Sequence, residues 1–216
     1  MTPSLRRVVG RTVTLFHDLG SGGEKIGARA ADGRRQRFSR AKFMAGTCPL
    51  KKWDHGVEQW IARLNFAAAA FPELKLPPIR EGDRALLIEQ VCLGATSYKE
   101  IEERPVAPIL KSWLNDAQRS ALDRLAPERI KLPNDRQAKI IYAEGKPPTI
   151  AARIQDLYGV AASLTIGDGS VALRIEILAP NHRPIQITDD LTTFWREGYL
   201  KIKTELQRKY PRHEWR

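Results

Sequence analysis

Cysteine is almost missing from this 216-residue chain: Cys48 and Cys92 stand far apart, in no Cys-x-x-Cys spacing. That argues against a disulfide framework and suits a reducing compartment. Histidine is equally sparse, and His17, His55, His182 and His213 share no local ligand spacing, so no metal is expected. No apolar run approaches the roughly 18 residues that span a bilayer. The first ten residues have no apolar block to serve as a secretory signal, and a cytoplasmic protein is expected. A Ser-His-Asp set, a close carboxylate pair and a cofactor motif are all lacking, which disfavours an independent enzyme. The glycine-rich loop at residues 20–27 is not a phosphate loop, because Glu24 precedes Lys25 and Ile26 follows it, where Gly and Ser or Thr are required.

What is present is ordinary globular composition with an excess of positive charge. The hydrophobic fraction of 42% and charged fraction of 28% fit a chain with a packed core, in one domain or two small ones. The net charge of +11 is unevenly placed: residues 1–52 carry +9, residues 53–128 carry −3 and residues 129–216 carry +5. A basic, acidic, basic profile suits a helical spacer between two parts that each meet a polyanion, since clustered Lys and Arg displace counterions from phosphates.

The clearest element is the last. After a turn at Asn181, His182 and Arg183 and a short strand at 184–187, Thr188 or Asp189 caps a long helix that Pro211 ends. Leu191, Phe194, Trp195, Tyr199, Ile202 and Leu206 repeat on one helical face, with Arg196, Lys201, Lys203 and Arg208 opposite. Upstream, Val57, Trp60, Ile61, Leu64, Ala68 and Phe71 predict a helix capped by Asp54 and ended by Pro72. An extended linker follows over 74–79, marked by Pro72, Pro77 and Pro78. Shorter helices are then expected behind Asp83, from Val106 through Leu114, and behind Asn115. Trp60 and Trp113 read as core residues rather than base-stacking platforms.

Beyond Pro127 the pattern turns strand-like. Residues 129–132 and 138–142 flank a Pro133-Asn134-Asp135 turn and read as a hairpin. Thr149 is expected to cap a helix carrying Ile150, Ile154, Leu157 and Tyr158, which Gly159 ends. A strand over 171–178 pairs with the one over 185–187. The expected fold is α+β in three parts. Residues 1–52 form a basic strand and hairpin segment, a remnant of a larger domain. Residues 53–126 form a helical bundle, and residues 127–216 a β-β-α-β-β-α domain.

Several stretches of the last part carry a resemblance: Leu125-Ala-Pro-Glu-Arg-Ile130, the Lys146-Pro-Pro148 loop, Ala152-Arg-Ile-Gln-Asp-Leu-Tyr-Gly159, Leu178-Ala-Pro-Asn-His-Arg-Pro-Ile-Gln-Ile-Thr-Asp-Asp-Leu191, Phe194-Trp-Arg196 and Tyr210-Pro-Arg-His-Glu-Trp215. In this order they resemble the C-terminal region of the bacterial DEAH-type ATP-dependent helicase family HrpB. The resemblance covers the chain from about residue 53 and is specific from 125 onward, and it implies that residues 1–52 lie where the family has the last part of an oligonucleotide-binding-like region. It implies that the chain is a piece of a longer RNA helicase, whose ATP, magnesium, Walker lysine and DEAH site belong to RecA-like domains. None of those motifs stands in these 216 residues, so the polypeptide alone is not expected to hydrolyse ATP.

Two functional readings follow. In the first, the chain is a nucleic-acid-binding accessory module for RNA or another single strand. Lys146, Arg153, His182, Arg183, Arg196, Arg212 and His213 would then gather near helix ends, with Trp215 stacking on unpaired bases. In the second, it docks on protein, either the helicase core in cis or another partner. The 180–184 turn and the 210–216 tail are then structural locks, with Arg183 and Arg196 paired to Asp189, Asp190 or Glu176. Exposure of these side chains in one patch favours binding; burial in mutual ion pairs favours docking.

Overall fold

In the computed structural model, residues 50–216 are described, apart from residues 96 and 161. The basic hairpin expected within residues 1–52 lies almost wholly outside them. The chain divides into two compact units, one holding residues 50–58 with Ile79–Asn115, the other Gln59–Pro78 with Asp116–Arg216. The helical stretch 53–126 is thus shared between the units rather than gathered in one bundle.

The first unit is helical. Helix α1 (His55–Ala70) begins here, and the Asp54 carboxylate caps it by accepting from the Val57 amide at 3.0 Å. Helix α2 (Glu81–Cys92) starts behind Arg80, not Asp83. Asp83 instead sits three residues in and accepts from the Arg80 amide at 2.9 Å, the return half of a capping box. Helix α3 (Tyr98–Glu103) follows, capped by Ser97, which accepts from the Glu100 amide at 3.3 Å. No helix was predicted there, although Ser-x-x-Glu is the spacing of a capping box. Helix α4 (Val106–Lys111) is shorter than expected: the Ser112 hydroxyl and amide both turn back onto the Ile109 carbonyl, leaving Trp113 and Leu114 beyond its end. Leu87, Val91, Val106 and Leu110 are fully buried where α2 and α4 pack.

The second unit is built on a five-stranded sheet of order β1-β2-β3-β6-β7. Its strands are β1 (Arg129–Lys131), β2 (Gln137–Ile141), β3 (Thr149–Arg153), β6 (Arg174–Leu178) and β7 (Pro184–Thr188). All neighbours are antiparallel except β3 and β6, which run parallel and pair Thr149 with Arg174 through to Arg153 with Leu178. The small hairpin of β4 (Thr165–Ile166) and β5 (Val171–Ala172) lies in the crossover between them. The α+β class therefore holds, while the arrangement differs from the expected β-β-α-β-β-α.

The main correction concerns residues 149–158. Thr149 does not cap a helix: its hydroxyl donates to the Pro147 carbonyl at 3.0 Å, and β3 starts there, followed by a short 3-10 turn (Ile154–Leu157). Ile150, Ile154 and Leu157 fit a helical period, but Ile150 and Ala152 are buried while Ala151 between them is exposed, the alternation of a strand. A second correction splits the expected 171–178 strand at Leu173, whose amide turns to the Leu164 carbonyl and whose side chain is fully buried.

The final helix begins with one turn, α6 (Leu191–Thr193), passes through a π-type turn (Phe194–Gly198) and continues as α7 (Tyr199–Lys209). Its cap is Asp190, which accepts from the Thr193 amide at 3.1 Å; Thr188 instead receives the Asp190 amide. The extra residue of the π-type turn groups Phe194, Trp195 and Tyr199, with ring centroids 5.0 to 6.4 Å apart. Gly198 sits inside this turn, where an added Cβ would stand 3.0 Å from Phe194 and 3.1 Å from Gln186 of β7.

Helix α1 enters the second unit at Gln59 and carries a buried cation. Arg63, 3% exposed, donates to the Ala126 carbonyl, to Leu122 O at 3.3 Å and to Glu128 at 3.1 Å, and pairs with Asp123. These acceptors stand at or just beyond the end of helix α5 (Asp116–Leu125), where Leu122 O also receives the Ala126 amide at 2.9 Å. Arg63→Met leaves the Ala126 carbonyl and the Asp123 and Glu128 carboxylates without this donor, and urea unfolding should register a loss of about 2–4 kcal/mol. Asp123 is 73% exposed, so Asp123→Asn should cost under about 1 kcal/mol.

In the first unit, Arg84 donates two bonds to Glu58, at 2.7 and 2.8 Å, and these hold the Glu58 carboxyl below its usual range against the opposing effect of burial. A lowered folded pKa gives stability that is complete above the unfolded value of 4.5 and is lost as pH falls through the folded one. Glu58→Gln should therefore flatten the acid side of the stability curve, as followed by unfolding at stepped pH.

Candidate nucleic-acid interface

The second unit's sheet has two ends, and they sort the predicted residues. At one end lie the β1–β2 turn, the close of β3, the β6–β7 turn and the C-terminal tail. Arg153 faces Leu178 across the β3–β6 ladder, just before the turn bearing His182 and Arg183. The tail arrives at the same end: the Tyr158 hydroxyl donates to the Glu214 carbonyl at 3.3 Å, and the Arg216 guanidinium lies 5.3 Å from the Tyr158 ring centroid. Lys146 sits in the β2–β3 turn at the opposite end. Four residue steps of β3 separate the ends, about 13 Å.

The residues that meet at the first end differ in what holds them. Arg153 and Arg136 converge on Asp156, at 3.1 Å each, and Asn134 donates to the same carboxylate at 2.9 Å. Arg153 is thereby a brace between two turns. Trp215 is half-buried, its indole donating to the Tyr210 carbonyl at 3.1 Å, and the His213 ring stands edge-on to Tyr210 at 6.2 Å. Arg196, on the π-type turn, pairs with its neighbour Glu197 at 2.9 Å. The pairing of Arg183 and Arg196 with Asp189, Asp190 or Glu176 is absent; Asp189 instead meets Arg174 at 3.4 Å. Lys146, Arg183 and Arg212 are exposed and form no ion pair with another described residue.

His182 owes its exposure to the turn itself. Its φ of 64° puts it in the left-handed region, its amide donates to Ala179 O at 2.9 Å, and Arg183 O receives the Ala179 amide at 2.8 Å. The Asn181 carboxamide oxygen closes the loop on the Arg183 amide at 3.3 Å.

An aromatic group supports this end from beneath. The hydroxyls of Tyr158 and Tyr199 are 3.1 Å apart, the Trp195 indole donates to Val160 O at 2.9 Å, and the Tyr158 and Trp195 rings are 5.7 Å apart. Burial, with the Tyr158 contact second, pushes the Tyr199 phenol above its ordinary range. Tyr158 thus joins the 3-10 turn, the last helix and the tail, a role its sequence position did not reveal. Among the described residues no group of three or more His, Cys, Asp or Glu is placed to hold a metal ion. None of the described helices is long and apolar enough to cross a membrane.

The Tyr158 hydroxyl makes one hydrogen bond to the tail while its ring also meets Arg216, so Tyr158→Phe should loosen residues 210–216 with under about 1 kcal/mol lost globally. Faster amide exchange confined to that segment would register it.

Known proteins locate the unit. The family model described as ATP-dependent helicase C-terminal, of HrpB, matches residues 87–216. The ATP-dependent RNA helicase HrpB of Escherichia coli strain K12 is 32% identical over 167 residues, covering 76% of this chain. A crystal structure of the E. coli DExH-box NTPase HrpB superposes with a TM-score of 0.71 at 30% identity over 76% of the chain. A second, of the E. coli DEAH/RHA helicase HrpB, gives 0.64 at 30% identity over 77%. The chain spans about a fifth of the length of these relatives (21% and 22%). With the motif order, the sheet and the sequence match in agreement, the chain belongs to the HrpB family of ATP-dependent helicase C-terminal regions.

Proposed function

We propose that this chain is the accessory C-terminal portion of an ATP-dependent RNA helicase and that it contributes nucleic-acid contact to a motor held elsewhere. ATP and magnesium belong to that motor, and the helicase core is its partner in cis. The observation that carries the reading is the state of the cations: residues 129–216 hold +5, and Arg183, Arg212 and Lys146 stand exposed with no ion pair to another described residue. Such unpaired charge gains most from displacing counterions off a phosphate backbone.

A second reading, docking on the helicase core without touching nucleic acid, draws support from Arg153 and Trp215. Their bonds to Asp156 and to Tyr210 make them locks on the fold rather than open contacts. For these two residues the structural role is the better supported.

Titration of a short fluorescent single-stranded RNA with the whole chain at stepped salt separates the readings. About 6 phosphate contacts give a log-log slope near −4 for a single strand. No affinity at low salt, or a flat dependence, leaves only docking.

A further inference from the structure

The sheet of the second unit buries one face and leaves the other open. Ala138, Ile140, Ile150, Ala152, Ile175 and Ile177 fill the buried side. Partners across a ladder share a face, and so do residues two apart in a strand. The open side therefore holds Arg129 opposite Lys139, Lys131 opposite Gln137, and Ile141 opposite Thr149. On it too are Ala151, Glu176 and Ile187 in one cross-strand row, and Arg153 opposite Leu178 in the next. Ile187 is 60% exposed and Ile141 39%. Arg129, Lys131, Gln137, Lys139, Ile141, Ala151 and Ile187 on this side are exposed, and Thr149, Arg153, Arg174, Glu176 and Leu178 are partly so.

Arg129 and Lys139 break a rule of sheet stability. Two cations directly opposite have Cβ atoms about 5 Å apart, and such a pair is destabilising. Neither is relieved by an ion pair with another described residue; Lys131, Arg153 and Arg174 on the same face each have one, with Asp135, Asp156 and Asp189. A charge on the edge strand β1 guards it against pairing with another sheet, and Arg129 alone does that. Lys139, on the inner strand β2, serves no such purpose. An uncompensated local conflict on an exposed face is where a ligand is expected to supply what the fold lacks.

We propose that this open face, centred on Arg129 and Lys139, binds the phosphodiester backbone of a nucleic acid without reading its sequence. The inference rests on the nucleic-acid reading above and gives it a site distinct from the Arg183 and Arg212 end. The described open-face residues include no aromatic ring, so bases are not stacked there; Glu176, between Ala151 and Ile187, sets a negative charge on the β6 side, so the phosphate path runs along β1 and β2 past Ile141. Contacts of this kind position a polyanion and carry no base information. A second copy of the chain would present the same cations and be repelled. An acidic protein surface is the remaining competitor, and the test includes it.

The test compares the whole chain with the double variant Arg129→Gln, Lys139→Gln, titrating a short fluorescein-labelled single-stranded RNA between about 50 and 200 mM salt. Losing two phosphate contacts should reduce the log-log slope by about 1.4 and weaken binding about 25-fold near 0.1 M salt. The thermal midpoint should hold or rise, because a repulsive pair has gone. Two RNAs of equal length and different sequence should respond alike, and the same loss of charge at Lys99 and Lys111 in the first unit should leave the slope unchanged. If the parent chain binds RNA and the double variant binds it equally well, the site is wrong while the nucleic-acid reading stands. If the double variant keeps RNA but loses an added helicase core, the face docks protein and the proposal falls. If the parent chain binds no RNA at low salt, both fail together.

Discussion

A buried guanidinium sets where the second unit's sheet begins. Arg63 is carried in by helix α1 and spends its donors on the C-terminal end of α5 and on the residues just before β1. Burying a cation is costly unless every donor is met, and here two backbone carbonyls and two carboxylates meet it. Because the acceptors are fixed points of the backbone, the contact positions residues 122–128 and hence the first residue of the hairpin. Helix α1 also holds the hairpin's far end. Gln59 exchanges two bonds with the backbone of Tyr142, at 3.1 and 3.2 Å, much as a neighbouring strand would. The Tyr142 hydroxyl returns to Pro127 O at 2.7 Å, and burial pushes that phenol well above its ordinary range. One helix thus clamps the start and finish of β1 and β2, and the register of Arg129 with Lys139 follows from the clamp.

The elements legible in the sequence are those with a single consistent period. The α1 stripe and the last helix were readable because the apolar spacing, the caps and the terminating prolines agree. Residues 149–158 were not, because Ile150, Ile154 and Leu157 satisfy a helical period while Ile150 and Ala152 satisfy a strand period. Only the parallel partner β6, more than twenty residues on, decides between them. The same kind of non-local fact separates β5 from β6: Leu173 looks like one more strand residue until Leu164 claims its amide. The π-type turn has no sequence signal beyond Gly198, whose missing Cβ leaves room for Phe194 and Gln186.

Candidate contact residues were legible as charges and not as positions. Lys146 and Arg153 are seven residues apart in sequence and belong to opposite ends of β3. Trp215 and Arg153 read as contacts because of their chemistry, yet their hydrogen bonds turn inward. Arg129 and Lys139 drew no notice because nothing local distinguishes them from other basic residues in a strand. Their meaning depends on the β1–β2 register, and a shift of that register by one residue would have sent them to opposite faces.

These placements separate two duties within the second unit. The stretches that mark the chain as HrpB-like fall mainly where the sheet is closed off: the Ala179 to Arg183 turn, the Tyr158 hydroxyl network and the Tyr210 to Trp215 tail. Their polar groups are largely consumed by one another, as a structure that must hold a strained turn and a chain end requires. Within these stretches Arg183 and Arg212 stay exposed without an ion pair to another described residue, and Arg129 and Lys139 add free charge where the backbone is regular and the side chains face outward, so a ligand there would not disturb the fold. A family motif and a ligand surface need not coincide, because the first is constrained by internal bonds and the second only by its charge and the strand beneath it.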